Sequence, residues 1–286
     1  MMSVMKASNS KKPNKALSTF SGRLTLVGAG KMGGAMLEGW LARGLDPKAI
    51  AVIDPQPSTR LRVLEKRGVA VGTSSKKDKP DVIVVAVKPQ DAATVMATLK
   101  PQIRKATLVV SIMAGRTLGF LQDFAPAGTP VVRAMPNLPA AIGRGITVAV
   151  GNRHVSEAQR KLTTQLLEAC GATEWVDNEK LLDAVTAVSG SGPAYVFLLA
   201  ETLTAAAVAA GLPAALAARL ARETIAGSGE LLRGSKLDAA TLRKNVTSPN
   251  GTTAAALEVL MGPGGFETLL ETAIAKAARR SRELAG

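Results

Sequence analysis

Leu24-Thr25-Leu26-Val27-Gly28-Ala29-Gly30-Lys31-Met32-Gly33-Gly34-Ala35 is the stretch from which the rest of the chain can be read. A short apolar run breaks off at a cluster of glycines. Met36, Leu37, Trp40 and Leu41 then recur at helical spacing, so the stretch reads as strand, tight turn and helix. Gly28, Gly30 and Gly33 stand at the spacing of a dinucleotide-binding turn. The first glycine permits the turn, the second lets a pyrophosphate approach the backbone, and the third packs helix on strand. The N-terminus of that helix offers free N–H groups and a positive dipole end to phosphates. Glycine-rich turns also occur where chains merely pass close, but the strand before and the helix after favour nucleotide binding.

Further along, Ala49-Ile50-Ala51-Val52-Ile53-Asp54 is a second apolar run ending in an acid, with the turn formers Pro55 and Pro57 behind it. Asp54 lies 26 residues past Gly28, near the offset at which a carboxylate hydrogen-bonds an adenosine ribose. A carboxylate there favours NADH, whereas Ser58, Arg60 and Arg62 could receive a 2′-phosphate, so the residues leave NADPH or NADH open. The plainer role for Asp54 is to cap a helix over 59–66.

Asp81-Val82-Ile83-Val84-Val85-Ala86-Val87 is a continuous run dominated by β-branched residues, as expected of a strand covered on both faces in a parallel sheet. Lys88-Pro89 follows, and proline at a first helical position suits a helix reaching Leu99. Thr107-Leu108-Val109-Val110-Ser111-Ile112 repeats the pattern and stops at Ala114-Gly115. Strands at 130–135 and 145–150, a helix at 156–169 and a strand at 173–176 continue the alternation. The expected fold is α/β: an N-terminal Rossmann-type, doubly wound sheet domain over 22–178, with ligands at the edge where strand C-termini line up.

From Glu179 the alternation ends. Helical windows at 179–188, 193–210, 213–232, 238–245, 252–261 and 265–284 point to an all-helical domain over 179–286. Alanines such as Ala205, Ala206, Ala207, Ala209 and Ala210 put small residues on several helix faces. A helix apolar nearly all round must be buried against something, and a handful of short helices can hardly hide such surfaces within one subunit. The expectation is a homodimer through the C-terminal domain.

The 286 residues, 47% hydrophobic, are ample for two domains with sizeable cores. A net charge of +14 raises nucleic acid, acidic membranes and small anions as partners. The basic excess is scattered, and aromatics at 3% leave few platforms for stacking bases, which argues against nucleic acid. Residues 1–21 hold Lys6, Lys11, Lys12 and Lys15 with no acid and no apolar signal core, and read as a disordered basic tail. No apolar run reaches a membrane span without glycine or charge interruptions, so no membrane partner is expected. Cys170 stands alone, which rules out an internal disulfide, reads as a small core residue and fits a reducing, cytoplasmic setting. His154 is the single histidine, in the polar turn Gly151-Asn152-Arg153-His154. It reads as a surface residue, leaves no histidine-cluster metal site and argues against a Ser-His-Asp triad.

Six motifs in order resemble the pyrroline-5-carboxylate reductases: Gly28-Ala29-Gly30-Lys31-Met32-Gly33, Ala86-Val87-Lys88-Pro89, Ser111-Ile112-Met113-Ala114-Gly115, Arg133-Ala134-Met135-Pro136-Asn137, Ser189-Gly190-Ser191-Gly192-Pro193-Ala194-Tyr195 and Val246-Thr247-Ser248-Pro249-Asn250-Gly251-Thr252-Thr253. The resemblance implies a Rossmann domain, a helical domain that interleaves with its dimer partner, and often a larger ring of dimers. It implies reduction of Δ1-pyrroline-5-carboxylate to proline by NADPH or NADH. By position, Gly28 to Gly33, Ala86 to Pro89 and Ile112, Met113 and Ala114 would contact cofactor, while Ser248, Gly251, Thr252 and Thr253 would hold substrate. Asn250 stands where many members have glycine, and Thr73 falls about where the family often has an asparagine near the adenosine.

The residues themselves allow the same chemistry. Thr247 to Thr253 run into Ala254-Ala255-Ala256-Leu257, so hydroxyls and a glycine sit where a helix starts, either as a plain N-cap or as a clamp for a carboxylate. The Thr253 hydroxyl can hydrogen-bond an imine nitrogen as donor or acceptor, and is the candidate catalytic residue. A protonated imine accepts hydride without a strong side-chain acid, so catalysis would rest on holding two flat rings face to face. Lys88 either offsets ligand charge or is solvated, and Lys31 reads as solvated. Ser189 to Pro193 is either a substrate-touching helix start or a hinge, and Arg133 reads as an ion-pair residue. A β-hydroxyacid dehydrogenase is the nearest alternative, but it would need a lysine soon after the Ser-Gly stretch, and none occurs before Lys236. A non-catalytic NAD(P)-binding sensor is the other.

Overall fold

The computed structural model describes residues 15–72 and 79–285. Thr73 and the lysines at 6, 11 and 12 lie outside that range. The chain divides into two compact units, one ending at Val185 and joined by Arg282 onward, the other Thr186–Ser281. The change of unit thus falls seven residues after the end of alternation read from the sequence.

In the first unit, β1 (Leu24–Val27) leads to α1 (Lys31–Ala42), β2 (Ile50–Ile53) to α2 (Thr59–Glu65), and β3 (Ala70–Gly72) completes one half of the sheet. β4 (Val82–Val85), α3 (Ala92–Leu99), β5 (Leu108–Ser111), α4 (Leu118–Gln122), β6 (Val131–Met135), β7 (Gly145–Gly151), α5 (Glu157–Leu167) and β8 (Gly171–Trp175) build the other. The strand order is β3-β2-β1-β4-β5-β6-β7-β8. Every pair is parallel except β6 with β7, which run antiparallel from Val132 opposite Gly151 to Met135 opposite Val148. The order reverses between β1 and β4, the topological switch point at which such sheets open a crevice.

Alternation along each strand splits the core in two. Leu24 and Leu26 of β1 and Val82 and Val84 of β4 pack with Met36, Leu37 and Trp40 of α1, Leu61 and Leu64 of α2, and Leu166 of α5. Val27, Ile83 and Val85 face the other way, onto Ala92, Met96 and Leu99 of α3 and Leu121 of α4. Helices therefore cover both faces, which is why these strands read as unbroken apolar runs. Trp40 is fully buried, and its indole N–H donates to the Leu166 carbonyl at 2.8 Å, tying α1 to α5.

Part of the segment read as a tail is packed. Leu17 is buried in the α1 face of the core, its N–H donates to the Arg43 carbonyl at 3.1 Å, and Phe20 lies against the same cluster. A single leucine among serines and lysines carries no periodicity by which to find it. The helix read from Pro89 to Leu99 opens as a 3₁₀ turn, Pro89–Asp91, before α3 proper. Arg133 is an ion-pair residue: its guanidinium donates to Glu179 at 2.8 Å, and Glu179 also accepts the Leu118 N–H at 2.8 Å.

α6 (Leu181–Val185) ends the first unit; a π-helical turn, Thr186–Gly190, opens the second, and α7 (Gly192–Ala209), α8 (Ala214–Gly234), α9 (Ala239–Asn245), α10 (Thr252–Leu260) and α11 (Phe266–Ala285) follow. The Tyr195 hydroxyl donates to the Ala187 carbonyl at 3.0 Å and holds that turn to α7. No residue of α7 is buried, and Val196, Phe197, Leu198, Leu199, Leu203 and Val208 are all exposed. The run Leu181–Ala209 is long and apolar enough, by length and composition, to cross a membrane, although Asp183, Gly190, Gly192 and Glu201 interrupt it.

Candidate active site

β1, β2, β4 and β5 all end on one edge, and the expected cofactor residues of the first unit follow those ends. Gly28 directly after β1 has φ +88°, a left-handed conformation, and a Cβ there would stand 2.8 Å from the Ala86 carbonyl oxygen after β4. A Cβ on Gly33 would lie 2.1 Å from the Gly28 carbonyl oxygen, so this first turn of α1 can rest on β1 only as glycine. Gly30 is the opposite case: a Cβ there meets nothing within 4 Å. The fold itself leaves room for a side chain at Gly30, whereas Gly28 and Gly33 are glycine for the sake of the fold.

Gly30 is the N-cap of α1, no side chain caps the helix, and its first turn holds no acid. The backbone N–H groups of Lys31, Met32 and Gly33 have no partner within the helix and form the positive end of its dipole. Donors in a cradle with room where a side chain would stand fit the pyrophosphate of a dinucleotide. Lys31 is exposed and Met32 half-buried.

Asp54, just past β2, is committed on both oxygens. Oδ2 accepts the Ala29 N–H at 2.7 Å, and Oδ1 accepts the Gln56 N–H at 2.9 Å. It does not cap α2; Ser58 does, its hydroxyl accepting the Leu61 N–H at 3.2 Å. Asp54 thus fixes the glycine turn against the tip of β2, with lone pairs left over for a ribose hydroxyl. The two arginines read as receivers of a 2′-phosphate are both paired with carboxylates: Arg62 with Glu65 at 3.1 Å, and Arg60 with Glu38 of α1. The Glu38 partnership spans 22 residues and two helices, and no sequence signal announced it.

On the other side of the switch point, Ala86 donates its N–H to Val27 at 2.8 Å and Ile112 donates to Val85 at 3.0 Å, so these backbones continue the sheet to its edge. Lys88 is exposed. Met113 is buried in the core and its N–H donates to the Ser111 hydroxyl at 3.2 Å; Ala114 is exposed. Arg116, which the sequence did not single out, donates through Nε and Nη2 to the Pro89 carbonyl at 3.1 and 2.7 Å, with its guanidinium over the Phe120 ring. It fastens the loop after β5 to the loop after β4.

In the second unit, the expected substrate residues gather at the start of α10. Gly251 is its N-cap, no side chain caps it, and its first turn holds no acid. Thr252, Thr253 and Ala254 therefore direct free N–H groups outward. Gly251 donates to the Ser248 carbonyl at 3.1 Å, closing the turn, and Thr253 is half-buried. Asn250 has φ +58°, the one positive φ outside glycine among the described residues. That explains the departure noted above: the position demands the left-handed region, which asparagine tolerates better than other side chains.

Elsewhere, burial pushes the Cys170 thiol up to about 11, against a smaller opposing effect of the Arg43 charge. Its chemistry is that of a core residue. His154 is exposed beside Arg153.

Comparison with known proteins agrees with this geometry. Residues 179–284 match the family described as pyrroline-5-carboxylate reductase dimerisation, and residues 23–115 match the family of coenzyme F420-dependent NADP oxidoreductases. The pyrroline-5-carboxylate reductase of Pseudomonas aeruginosa is 40% identical over 92% of this chain and 97% of its own. The solved structure of the enzyme from Coxiella burnetii superposes with a TM-score of 0.86 at 33% identity, covering 93% of this chain and 99% of its own. That of the Plasmodium falciparum enzyme with NADP bound gives 0.77 at 29% identity, over 93% and 99%. With glycine turn, strand tips and α10 start all in place along a match that spans nearly the whole chain, this protein belongs to the pyrroline-5-carboxylate reductase family.

Proposed function

We infer that the chain reduces Δ1-pyrroline-5-carboxylate to L-proline with NAD(P)H, the final step of proline biosynthesis. The observation that carries this beyond family membership is the pair of uncapped helix starts: α1 with space at Gly30 for a phosphate, and α10 with free N–H groups and hydroxyls for a small carboxylate. Bound NAD(P)H supplies the hydride. The α1 N–H groups and the fixed Gly28 turn hold the pyrophosphate, and Ala86 to Pro89 with Ile112 to Ala114 line the sheet edge for the rest of the dinucleotide. The N–H groups at Thr252 and Thr253, with the Ser248 hydroxyl, grip the substrate carboxylate, and Gly251 lets it come close. The Thr253 hydroxyl bonds the ring nitrogen, keeping its proton where it makes the adjacent carbon electrophilic. These residues orient two partners and do little acid–base work, in keeping with a chain that has one exposed histidine.

The apolar exposure of α7 supports a homodimer through the helical unit, and the resemblance extends this to a ring of dimers. A second copy accounts for the apolar run Leu181–Ala209 without a membrane, and the match of residues 179–284 to a dimerisation family supports that reading. The single cysteine supports a reducing, cytoplasmic setting. The test is oxidation of NADPH and of NADH by the purified protein with pyrroline-5-carboxylate, with proline identified as product. A protein that bound nucleotide but formed no proline would be the sensor instead.

A further inference from the structure

Among the described residues beyond the tip of β2, several polar groups are already engaged. Asp54 holds Ala29 and Gln56, Ser58 caps α2, and Arg62 pairs with Glu65 on its own helix. Arg60 differs from these. It sits in the first turn of the helix that leaves the tip, its side chain is 75% exposed, and its guanidinium is drawn to α1, where Nε and Nη2 both engage the Glu38 carboxylate. That fork is two-pronged, the geometry a guanidinium would otherwise offer to a phosphate. Glu38 is less exposed, at 31%, and lies on a helix buried through Met36, Leu37 and Trp40, so Arg60 is the member of the pair that can move. Arg67 lines the same groove between α1 and α2.

We propose that Glu38 is a specificity-determining residue for the cofactor: by holding Arg60 against α1 it withholds from the adenosine site a cation that could swing to a 2′-phosphate, and so narrows any preference for NADPH over NADH. This rests on the nicotinamide-nucleotide reading of the glycine turn. A 2′-phosphate must compete with Glu38 for Arg60, while a 2′-hydroxyl needs only Asp54.

Calorimetric titration of the whole protein with adenosine 2′,5′-bisphosphate and with adenosine 5′-monophosphate reads this without turnover. Glu38→Gln should tighten the bisphosphate about fivefold, the scale of one exposed ion pair, and leave the monophosphate unchanged. Glu38→Gln with Arg60→Gln should lose that gain. No tightening in the single variant, equal tightening of both nucleotides, or a gain that survives the second substitution overturns the proposal while leaving nucleotide binding intact. Failure of the unaltered protein to bind either nucleotide, or NADH, overturns the underlying reading and the proposal with it.

Discussion

Gly30 and Gly33 are three residues apart in one motif, yet the structure separates what each does, and alanine at each position measures the difference. At Gly30 a methyl meets no atom within 4 Å. The cost of Gly30→Ala is that of a poorer N-cap, below about 1 kcal/mol, or about 2–4 °C in melting temperature for a unit of this size. If a pyrophosphate docks there as proposed, the added methyl intrudes on it, and NADPH should bind at least about tenfold more weakly, about 1.4 kcal/mol or more. At Gly33 the methyl would stand 2.1 Å from the Gly28 carbonyl oxygen and 3.2 Å from the Ala86 Cβ. Backbone cannot yield there as a side-chain tip would, and Gly33→Ala should cost about 1–3 kcal/mol or more of stability. Thermal unfolding and calorimetric titration with NADPH, run on both variants, should show one protein that is folded but blind to cofactor and one that is destabilised. A Gly30→Ala protein that binds NADPH as tightly as the unaltered chain would refute the reasoning, because the room at that position would then serve no ligand.

Thr253→Ala should lower kcat/KM for pyrroline-5-carboxylate, by about 10²-fold for a lost transition-state hydrogen bond, with the NADPH dissociation constant unchanged. Glu179→Gln leaves the Arg133 guanidinium buried without its countercharge, and urea unfolding should show a loss of about 2–4 kcal/mol. For Cys170, the thiol is protonated in the fold up to about 11 but only to about 9 when unfolded, so the unfolded chain releases its proton first as pH rises. Stability from this group is complete below pH 9 and is lost on going to pH 11, by up to about 3 kcal/mol, and Cys170→Ala should remove that part of the alkaline slope in urea melts.

How far the sequence could be read depended on whether the cause of each feature was local. The turn at Gly28 and the strands ending at Val27, Ile53, Val85 and Ser111 are written in runs a few residues long, and with them came the crevice. The α10 start was legible for the same reason, since hydroxyls, a glycine and a helix follow one another without a break. β3 was missed because Ala70, Val71 and Gly72 form an edge strand too short to show a period, and its pairing with Ala51, Val52 and Ile53 is a matter of the sheet. The antiparallel course of β7 was illegible because direction belongs to the pairing with β6. Arg60 with Glu38, Arg116 with Pro89 and Leu17 with its core share that character: each is a contact between segments whose sequences carry no sign of one another.

α7 has one more consequence. A helix of 18 residues with none of them buried has its share of the hydrophobic driving force still unspent when one chain has finished folding. With a second copy supplying that burial, the law of mass action enters the folding equilibrium, and dilution alone becomes a denaturant: the melting temperature should climb with protein concentration, as it would not for a chain complete in itself.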